Sequence, residues 1–364
     1  MQLSMVEWKK IGDIVKRNKG IPITAGQMSE LNTPNGNVRV FAAGQTMADI
    51  CEDDLPAGCA NKKPSIIVKS RGYIDFEFYD KPFTHKNEMW SYSFDDRRIG
   101  QFIYYYLTTK TDYFRKKAKA NSVKLPQLCV ADTDNYLVPV PSLAEQNRIV
   151  GILDTFTSSI ENLKQQIAER RKQYEYYRVI LLSINGENDA FSYKLEDICN
   201  ITAGGDVPND SFSDYKTAKY SIPIISNGVG EKALYGFTES PKITCPSVTI
   251  AARGTIGYAE YRDYPFYPIV RLISVYPLDL NRIDTKYLYY RLKSYNYKVS
   301  KSGIPQLTIP MVKKVNVFLP SHDEQSRIVS ILDTFEASIS NLEAQLKQRE
   351  KQYEYYRNKL LTFE

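Results

Sequence analysis

Residues Glu145–Phe156 read EQNRIVGILDTF, and residues Glu324–Phe335 read EQSRIVSILDTF. The match extends well beyond these twelve positions. An offset of 179 aligns Pro126–Leu182 with Pro305–Leu361 without a gap, and 31 of the 57 aligned pairs are identical. A repeat of this length indicates two similar structural units in tandem.

Apolar residues recur in both copies at alternating intervals of four and three. This 3.5-residue period predicts a long helix in each copy, with a narrow apolar stripe of the kind that two helices bury against each other. The predicted contact residues are Ile149, Leu153, Phe156, Ile160, Leu163 and Ile167 in the first helix and Ile328, Leu332, Phe335, Ile339, Leu342 and Leu346 in the second.

Each stripe contains one arginine, Arg170 or Arg349. Its stem can lie along the apolar surface while the guanidinium reaches water or a carboxylate, which is the arrangement we favour. The alternative is a buried charge pair that fixes the register of the helices. At the start of each helix, Ser142 and Ser321 precede Glu145 and Glu324 at the spacing of a capping box.

These patterns predict an α+β protein with two similar globular domains, residues 1–141 and 191–320. The helices occupy residues 142–184 and 321–364, with a linker at 185–190. Because the second domain joins the end of one helix to the start of the other, we expect an antiparallel coiled coil and pseudo-two-fold symmetry. About forty helical residues would separate the outer ends of the domains by roughly 60 Å.

The two globular domains share a framework but little else. Arg71-Gly-Tyr-Ile74 corresponds to Arg253-Gly-Thr-Ile256, although the second copy continues to Gly257 where the first has Asp75. Strand-like segments such as Val38–Phe41 and Ser65–Lys69 alternate with Gly and Pro. Similar connectors with dissimilar domains indicate two different binding surfaces held on one scaffold.

Composition narrows the function classes. Lys and Arg outnumber Asp and Glu by 48 to 42, and this net charge of +6 permits nucleic-acid binding without requiring it. The 28 tyrosines suit a surface that packs and hydrogen-bonds against a large partner. Five irregularly spaced cysteines argue against a disulfide framework. With no run of 18 apolar residues, we expect no membrane span and a cytoplasmic protein.

Catalytic motifs are missing from the sequence. Its two histidines, His85 and His322, lack neighbours at metal-ligand spacing. There is no phosphate-binding P-loop, and no Asn/Asp-Pro-Pro-aromatic tetrapeptide of amino-methyltransferases. Adjacent carboxylates such as Asp53-Asp54 and Asp95-Asp96 are more simply solvated than metal-binding. We therefore expect a binding protein without a metal or cofactor of its own.

These repeated motifs resemble those of the specificity (S) subunits of type I restriction–modification systems. The resemblance covers essentially the whole chain and rests on Leu125-Pro-Gln-Leu128, on Pro-Ser-x-x-Glu-Gln-x-Arg-Ile-Val, and on the blocks Tyr174-Glu-Tyr-Tyr-Arg178 and Tyr353-Glu-Tyr-Tyr-Arg357. It implies two target recognition domains, each reading one half of a bipartite, asymmetric double-stranded DNA sequence. The helices would set the spacer between the halves.

The resemblance also implies partners. Two methyltransferase subunits, which use S-adenosylmethionine and flip out an adenine, would dock on the helices. Restriction subunits, which use ATP and Mg²⁺, would join that core. A coiled-coil adaptor that joins proteins without reading DNA is the alternative, and it does not explain two dissimilar domains on one framework. A free-standing nuclease or methyltransferase is disfavoured by the missing motifs.

Candidate site residues follow from charge and position. The DNA-binding candidates are Lys69, Arg71, Arg115, Lys116, Lys117, Lys119 and Lys124 in the first domain and Lys216, Lys219, Arg253, Lys298 and Lys301 in the second. Most of these would bind phosphates rather than read bases. Candidates for docking the methyltransferase subunits are Tyr176, Arg178, Tyr355 and Arg357, which lie off the apolar stripes.

Overall fold

The computed structural model describes residues 6–122, 124–183, 191–299 and 305–363. The predicted linker at 185–190 and the candidate Lys301 lie outside these ranges. Two compact units are present. Unit 1 comprises the chain up to Lys164 together with the residues from Ala344 onward, and unit 2 comprises Gln165–Glu343. Each long helix therefore contributes one half to each unit.

Unit 1 is a mixed α/β unit. Its elements are β1 (Glu7–Lys10), α1 (Ile11–Ile14), β2 (Lys16–Lys19), α2 (Ala25–Leu31), β3 (Val38–Phe41), β4 (Met47–Ile50), β5 (Ser65–Lys69), β6 (Asp75–Tyr79), β7 (Phe83–His85), β8 (Trp90–Ser93), α3 (Arg97–Thr108), α4 (Thr111–Asn121), α5 (Val130–Asp134), β9 (Leu137–Val140) and the first half of the long α6 (Leu143–Leu182). The strands form the sheets β2-β8-β5-β6, β4-β3-β7 and β1-β9. The strands predicted at Val38–Phe41 and Ser65–Lys69 are confirmed as β3 and β5.

Unit 2 repeats this topology. Its elements are β10 (Phe191–Lys194), α7 (Leu195–Ile198), β11 (Cys199–Ala203), β12 (Ile222–Ile225), β13 (Leu234–Thr238), β14 (Ser247–Ala251), β15 (Ala259–Arg262), β16 (Tyr267–Pro268), β17 (Leu272–Pro277), α8 (Thr285–Lys293), α9 (Ile309–Lys313), β18 (Asn316–Leu319) and the first half of the long α10 (His322–Leu360). Its sheets are β11-β17-β14-β15, β13-β12-β16 and β10-β18. Short 3₁₀ turns occur at Glu52–Asp54 in unit 1 and Gly230–Ala233 in unit 2.

One face of each four-stranded sheet packs on helices and forms the main core of its unit. In unit 1, Ile66 and Val68 of β5 cluster with Phe102 of α3 and with Ile149 and Leu153 of α6. The corresponding core of unit 2 joins β14 and β17 to α8 and to the first turns of α10. The globular part of each unit and the start of its long helix therefore fold around one shared core.

The long helices pack antiparallel within each unit. In unit 1, Phe156 stacks on Tyr356 with ring centroids 5.4 Å apart, and Lys164, further along α6, pairs with the earlier residue Glu350 at 3.4 Å. In unit 2, Tyr177 stacks on Phe335 at 5.4 Å. All twelve predicted contact residues are buried or half-buried.

The two stripe arginines make equivalent contacts. The Arg170 guanidinium lies 5.8 Å from the ring centre of Phe335, and that of Arg349 lies 5.6 Å from the ring centre of Phe156. This is a cation–π contact. The sequence-based alternatives were a guanidinium that reaches water or a carboxylate and a buried charge pair, and neither included a contact with an aromatic ring. Each phenylalanine thus contacts both an arginine and a tyrosine of the other helix.

The helix starts are capped as the sequence predicts. Ser142 Oγ accepts a hydrogen bond from the Glu145 amide at 3.3 Å, and Ser321 Oγ accepts one from the Glu324 amide at 3.3 Å. The glutamate side chains do not bond the backbone amide of the capping serine, as a full capping box would require. They pair instead with the arginines three residues later in the helix. Arg148 donates two hydrogen bonds to Glu145 at 2.8 and 2.7 Å, and this pairing lowers the pKa of the Glu145 carboxyl.

The described residues form neither a membrane-spanning helix nor a cluster of metal ligands. No helix in these ranges is both long and apolar enough to cross a membrane. Nor do their His, Cys, Asp and Glu side chains form a group of three or more that could hold a metal ion. His85 is buried and hydrogen-bonds Lys86 and Ser91, and burial lowers its pKa.

Candidate nucleic-acid interface

Each unit has an Arg-Gly turn that follows a central strand and hydrogen-bonds a Pro-Gln-Leu segment. In unit 1, the amide of Gly72 donates to the Pro126 carbonyl at 2.9 Å, and the amide of Leu128 donates to the Ser70 carbonyl at 2.8 Å. In unit 2, the Leu307 amide donates to the Ala252 carbonyl at 2.9 Å. The repeat offset of 179 relates Leu128 to Leu307, so Ser70 corresponds to Ala252 and Arg71 to Arg253.

The arginine of this turn lies beside the glutamine of the Pro-Gln-Leu segment. In unit 2, Nε and Nη2 of Arg253 both donate to Gln306 Oε1, at 3.0 and 2.6 Å. In unit 1, Arg71 and Gln127 are β-bridge partners, and both side chains are exposed. Arginine and glutamine both suit recognition of base edges. We call this pair and its turn the Arg–Gln edge of each unit.

Glycines allow the turns to form. Gly72 and Gly254 have positive φ angles of 75° and 72°, which disfavour any residue with a Cβ. The turn of unit 2 is one residue longer, since Ile250 pairs with Ala259 where Val68 pairs with Phe76. Gly257 supplies a further positive φ of 83° in that longer turn. The sequence difference between Gly257 and Asp75 thus corresponds to a real difference in backbone path.

Several DNA-binding candidates of unit 1 surround its Arg–Gln edge. The Gln127 amide donates to the Ala118 carbonyl at 3.1 Å, which places the 124–128 segment against the end of α4. Lys119 and Lys124 are exposed there together with Arg71, and Lys116 is exposed on the same helix. These four exposed side chains make this part of unit 1 basic, and they could bind phosphates.

Three other candidates of unit 1 are engaged within the protein. Lys69 is largely buried and pairs with Glu77 at 2.7 Å. Arg115 donates to the Ile74 carbonyl at 3.2 Å and lies over the ring of Tyr73. Lys117 lies 4.0 Å from the carboxylate of Asp132. They are less available to DNA than Arg71, although their role as DNA ligands remains a prediction.

In unit 2, Lys216 and Lys298 are exposed, and Lys219 lies 4.0 Å from Glu239. Among the described residues, none of these three side chains hydrogen-bonds or contacts Arg253, so they are not linked to the Arg–Gln edge of unit 2. α4 also has no equivalent among the described helices of unit 2. The two units therefore present different basic surfaces around a shared edge.

The glutamines of the edge are not among the site residues predicted from sequence, although both lie within the repeat. Gln127 and Gln306 occupy equivalent positions of the Pro-Gln-Leu segment, and that equivalence was the available signal. Asn227 and Arg271, which the fold brings to the same place, are not among them either. Asn227 Nδ2 donates to the Arg253 carbonyl at 2.8 Å, and the Ala252 amide donates to the Arg271 carbonyl at 2.8 Å. Neither residue has a sequence signal.

The repeated aspartate of each long helix anchors the neighbouring short helix. Tyr105 of α3 donates to Asp154 Oδ1 at 2.7 Å, and Tyr290 of α8 donates to Asp333 Oδ1 at 2.6 Å. Burial raises the pKa of both tyrosines, so the hydroxyls stay protonated and act as donors. This bond gives the aspartate of both copies a structural role, and it fixes each globular part on its helix.

The docking candidates differ in accessibility. The side chains of Tyr176 and Tyr355 are 64% and 60% exposed. Arg178 is instead half-buried, where it donates to Glu175 and to Ser294 at the end of α8. Arg357 lies 5.6 Å from the ring centre of Tyr353. The tyrosines thus have the surface that a protein partner needs, while both arginines contact their own unit.

The chain is similar to known proteins both in sequence and in fold. The model of the type I restriction modification DNA specificity domain matches twice, over residues 5–170 and 188–351. A Mycoplasma pneumoniae protein assigned as a type I specificity subunit is 41% identical over 67% of this chain and 92% of its own. The Escherichia coli EcoR124I/EcoR124II specificity subunit is 27% identical over 98% and 94%. The crystal structure of a type I S subunit from M. genitalium matches with a TM-score of 0.69, at 19% identity, over 100% of this chain and 99% of that one.

Proposed function

Since this chain belongs to the family of type I restriction–modification DNA specificity subunits, we propose that its two units read the two halves of one bipartite DNA target. The observation that carries the proposal is the Arg–Gln edge, which occurs once in each unit. Its surroundings differ between the units, as two readers of unlike half-sites require. Base specificity would come from the edge and from residues directly beside it, and the exposed lysines nearby would position the DNA backbone.

We further propose that the long helices act as a spacer and as a docking site. About forty residues per helix, at 1.5 Å each, provide a rod of roughly 60 Å, on the order of two turns of DNA. Two methyltransferase subunits would dock on the equivalent Tyr176 and Tyr355 surfaces. S-adenosylmethionine would bind to those subunits, and ATP and Mg²⁺ to restriction subunits.

Methylation mapping tests the proposed DNA target. The chain is co-expressed with the methyltransferase subunit of its own system in a host that lacks other adenine methylation, and methylated positions are read across the genome. We expect one motif with two defined halves and an undefined spacer of fixed length. A single continuous motif would contradict reading by two units, and so would the absence of any motif from a stable complex.

Co-purification tests the docking surface. We expect the chain to purify with two methyltransferase subunits. Tyr176→Ala should remove one subunit, and Tyr176→Ala combined with Tyr355→Ala should remove both. Tyr215→Ala is the matched control, because its side chain is 79% exposed on unit 2 and lies outside the helices. Full assembly of the double variant would place docking elsewhere.

A further inference from the structure

We infer that Arg271 reads a guanine in the half-site bound by unit 2. The inference rests on the proposed function and adds to it a base-contacting residue and the base it contacts. Arg271 is absent from the basic candidates found by sequence, and it lies outside the repeated helices. Three observations support it: its backbone conformation, its place beside the Arg–Gln edge, and its counterpart in unit 1.

The backbone at Arg271 is unusual. Its φ of 73° is the only positive value found at a residue other than glycine in the described part of the chain. The left-handed region favours glycine because a Cβ is crowded there. Arg271 stands immediately before β17 and follows Val270, which is 48% exposed. A functional role for the side chain would explain why an arginine occupies a position that favours glycine. Residues with strained backbones often lie at binding sites.

Arg271 lies beside the Arg–Gln edge of unit 2. Its carbonyl accepts the hydrogen bond from Ala252, the residue before Arg253, while Asn227 holds the Arg253 carbonyl. Its own side chain is exposed, and no hydrogen bond or ion pair to it occurs among the described residues. The guanidinium is therefore available to an external acceptor with all its donors, whereas two donors of Arg253 are already used by Gln306.

The chemistry of this edge favours guanine. Guanine presents two acceptors in the major groove, O6 and N7, which match the parallel donors of a guanidinium. Gln306 Oε1 already accepts two hydrogen bonds from Arg253, so the amide of Gln306 retains chiefly its two N–H donors. The edge thus offers mostly donors and positive charge. Adenine and thymine each present one acceptor there and cytosine presents none, so none of them matches a bidentate arginine.

Unit 1 has the opposite charge at the equivalent position. Val68 pairs with Trp90 across the sheet of unit 1, as Ile250 pairs with Ile273 in unit 2. Glu88 and Arg271 each lie two residues before the second member of their pair, so they occupy equivalent positions. Glu88 pairs with Lys86 at 3.3 Å, and its carboxylate can only accept hydrogen bonds. A carboxylate suits the amino group of cytosine rather than guanine. This difference at one shared position is what two unlike half-sites would need.

The experiment compares three single variants in the complex with the methyltransferase subunits. Arg271→Gly removes the side chain and suits the positive φ, so it should fold at least as well as the original. Arg271→Lys keeps the charge but loses the bidentate geometry. The matched control is Lys216→Gln, an exposed candidate for phosphate binding in the same unit. Genomic methylation is mapped for each variant, and binding is measured at fixed salt to duplexes in which each G·C pair of the target is replaced in turn.

In both Arg271 variants, the requirement for guanine at one position of one half-site should be relaxed. Affinity for the intact target should fall about ten- to hundredfold. Lys216→Gln should weaken binding to every duplex alike and leave the motif unchanged. An unchanged motif in the Arg271→Gly complex, or loss confined to a position other than guanine, would overturn the inference while the two-part target stands. A wild-type complex with no two-part motif would overturn the proposed function itself, and the inference with it.

Discussion

The hydroxyl of Tyr290 joins the globular part of unit 2 to its long helix. The side chain is fully buried, and its hydroxyl donates to Asp333, whose other oxygen accepts a hydrogen bond from Lys286 at 2.7 Å. Tyr290→Phe would leave a part-buried carboxylate oxygen without its donor. We expect a loss of about 1–3 kcal/mol in the free energy of unfolding, measured by urea denaturation. Tyr215→Phe, at an exposed tyrosine, should change it by less than about 0.5 kcal/mol. Equal urea midpoints for wild type and Tyr290→Phe would show that the bond contributes nothing.

A carboxylate in unit 1 makes stability depend on pH. Arg39 donates two hydrogen bonds to Asp49, both at 2.8 Å, and this pairing lowers the pKa of the Asp49 carboxyl below its usual value of 3.8. A pKa that is lower in the folded state contributes stability above the unfolded-state value, and that contribution is lost as pH falls through the folded-state value. Because Asp49 is about two-fifths exposed, solvent screening keeps its contribution small.

Asp49→Asn should therefore lower stability by about 0.5–1 kcal/mol at pH 7. The difference from wild type should shrink as pH falls below 3.8 and vanish once Asp49 is protonated in the folded state. Thermal unfolding at a series of pH values measures it. A deficit that stayed constant down to the lowest pH would show that the effect of the substitution is steric rather than electrostatic.

At the scale of elements, the start of each long helix belongs to the core of a unit. Leu153 and Leu332 are both fully buried. Truncation to Ala leaves a cavity in the core, so each substitution should cost about 2–5 kcal/mol, measured by urea denaturation. Val179→Ala is the matched control on the same helix as Leu153, since Val179 is 60% exposed. A cost below about 1 kcal/mol at either leucine would contradict a shared core.

Elements that are specified by a local sequence pattern were predictable from the sequence. The 3.5-residue period predicted both long helices, and breakers on either side defined β3 and β5. The contact of Arg170 with Phe335 was not predictable, because it depends on which side chains of the other helix lie opposite the arginine. Arg271 shows the same limit more strongly. Its role depends on strand pairing between β14 and β17, and nothing in the residues around it indicates that it lies beside Arg253.

At the scale of the whole molecule, duplication explains what the two units share and what they do not. The shared features, the Asp–Tyr anchor, the capped helix start and the Arg–Gln edge, fix the scaffold. The differing residues, such as Glu88 and Arg271, surround the edge where DNA would be read. Comparing the two copies identifies the scaffold residues from sequence, whereas the residues proposed to read bases emerge only from the strand register.

The proposed spacer role is tested most directly by lengthening both helices together. Duplicating the heptads Ile160–Gln166 and Ile339–Gln345 keeps the 3.5-residue period of both apolar stripes and adds about 10 Å to each helix, or roughly three base pairs. Methylation mapping of the assembled complex should return the same two half-sites with a spacer longer by about three base pairs. An assembled, active complex that keeps the original spacer would contradict the claim that the helices set the distance between the half-sites.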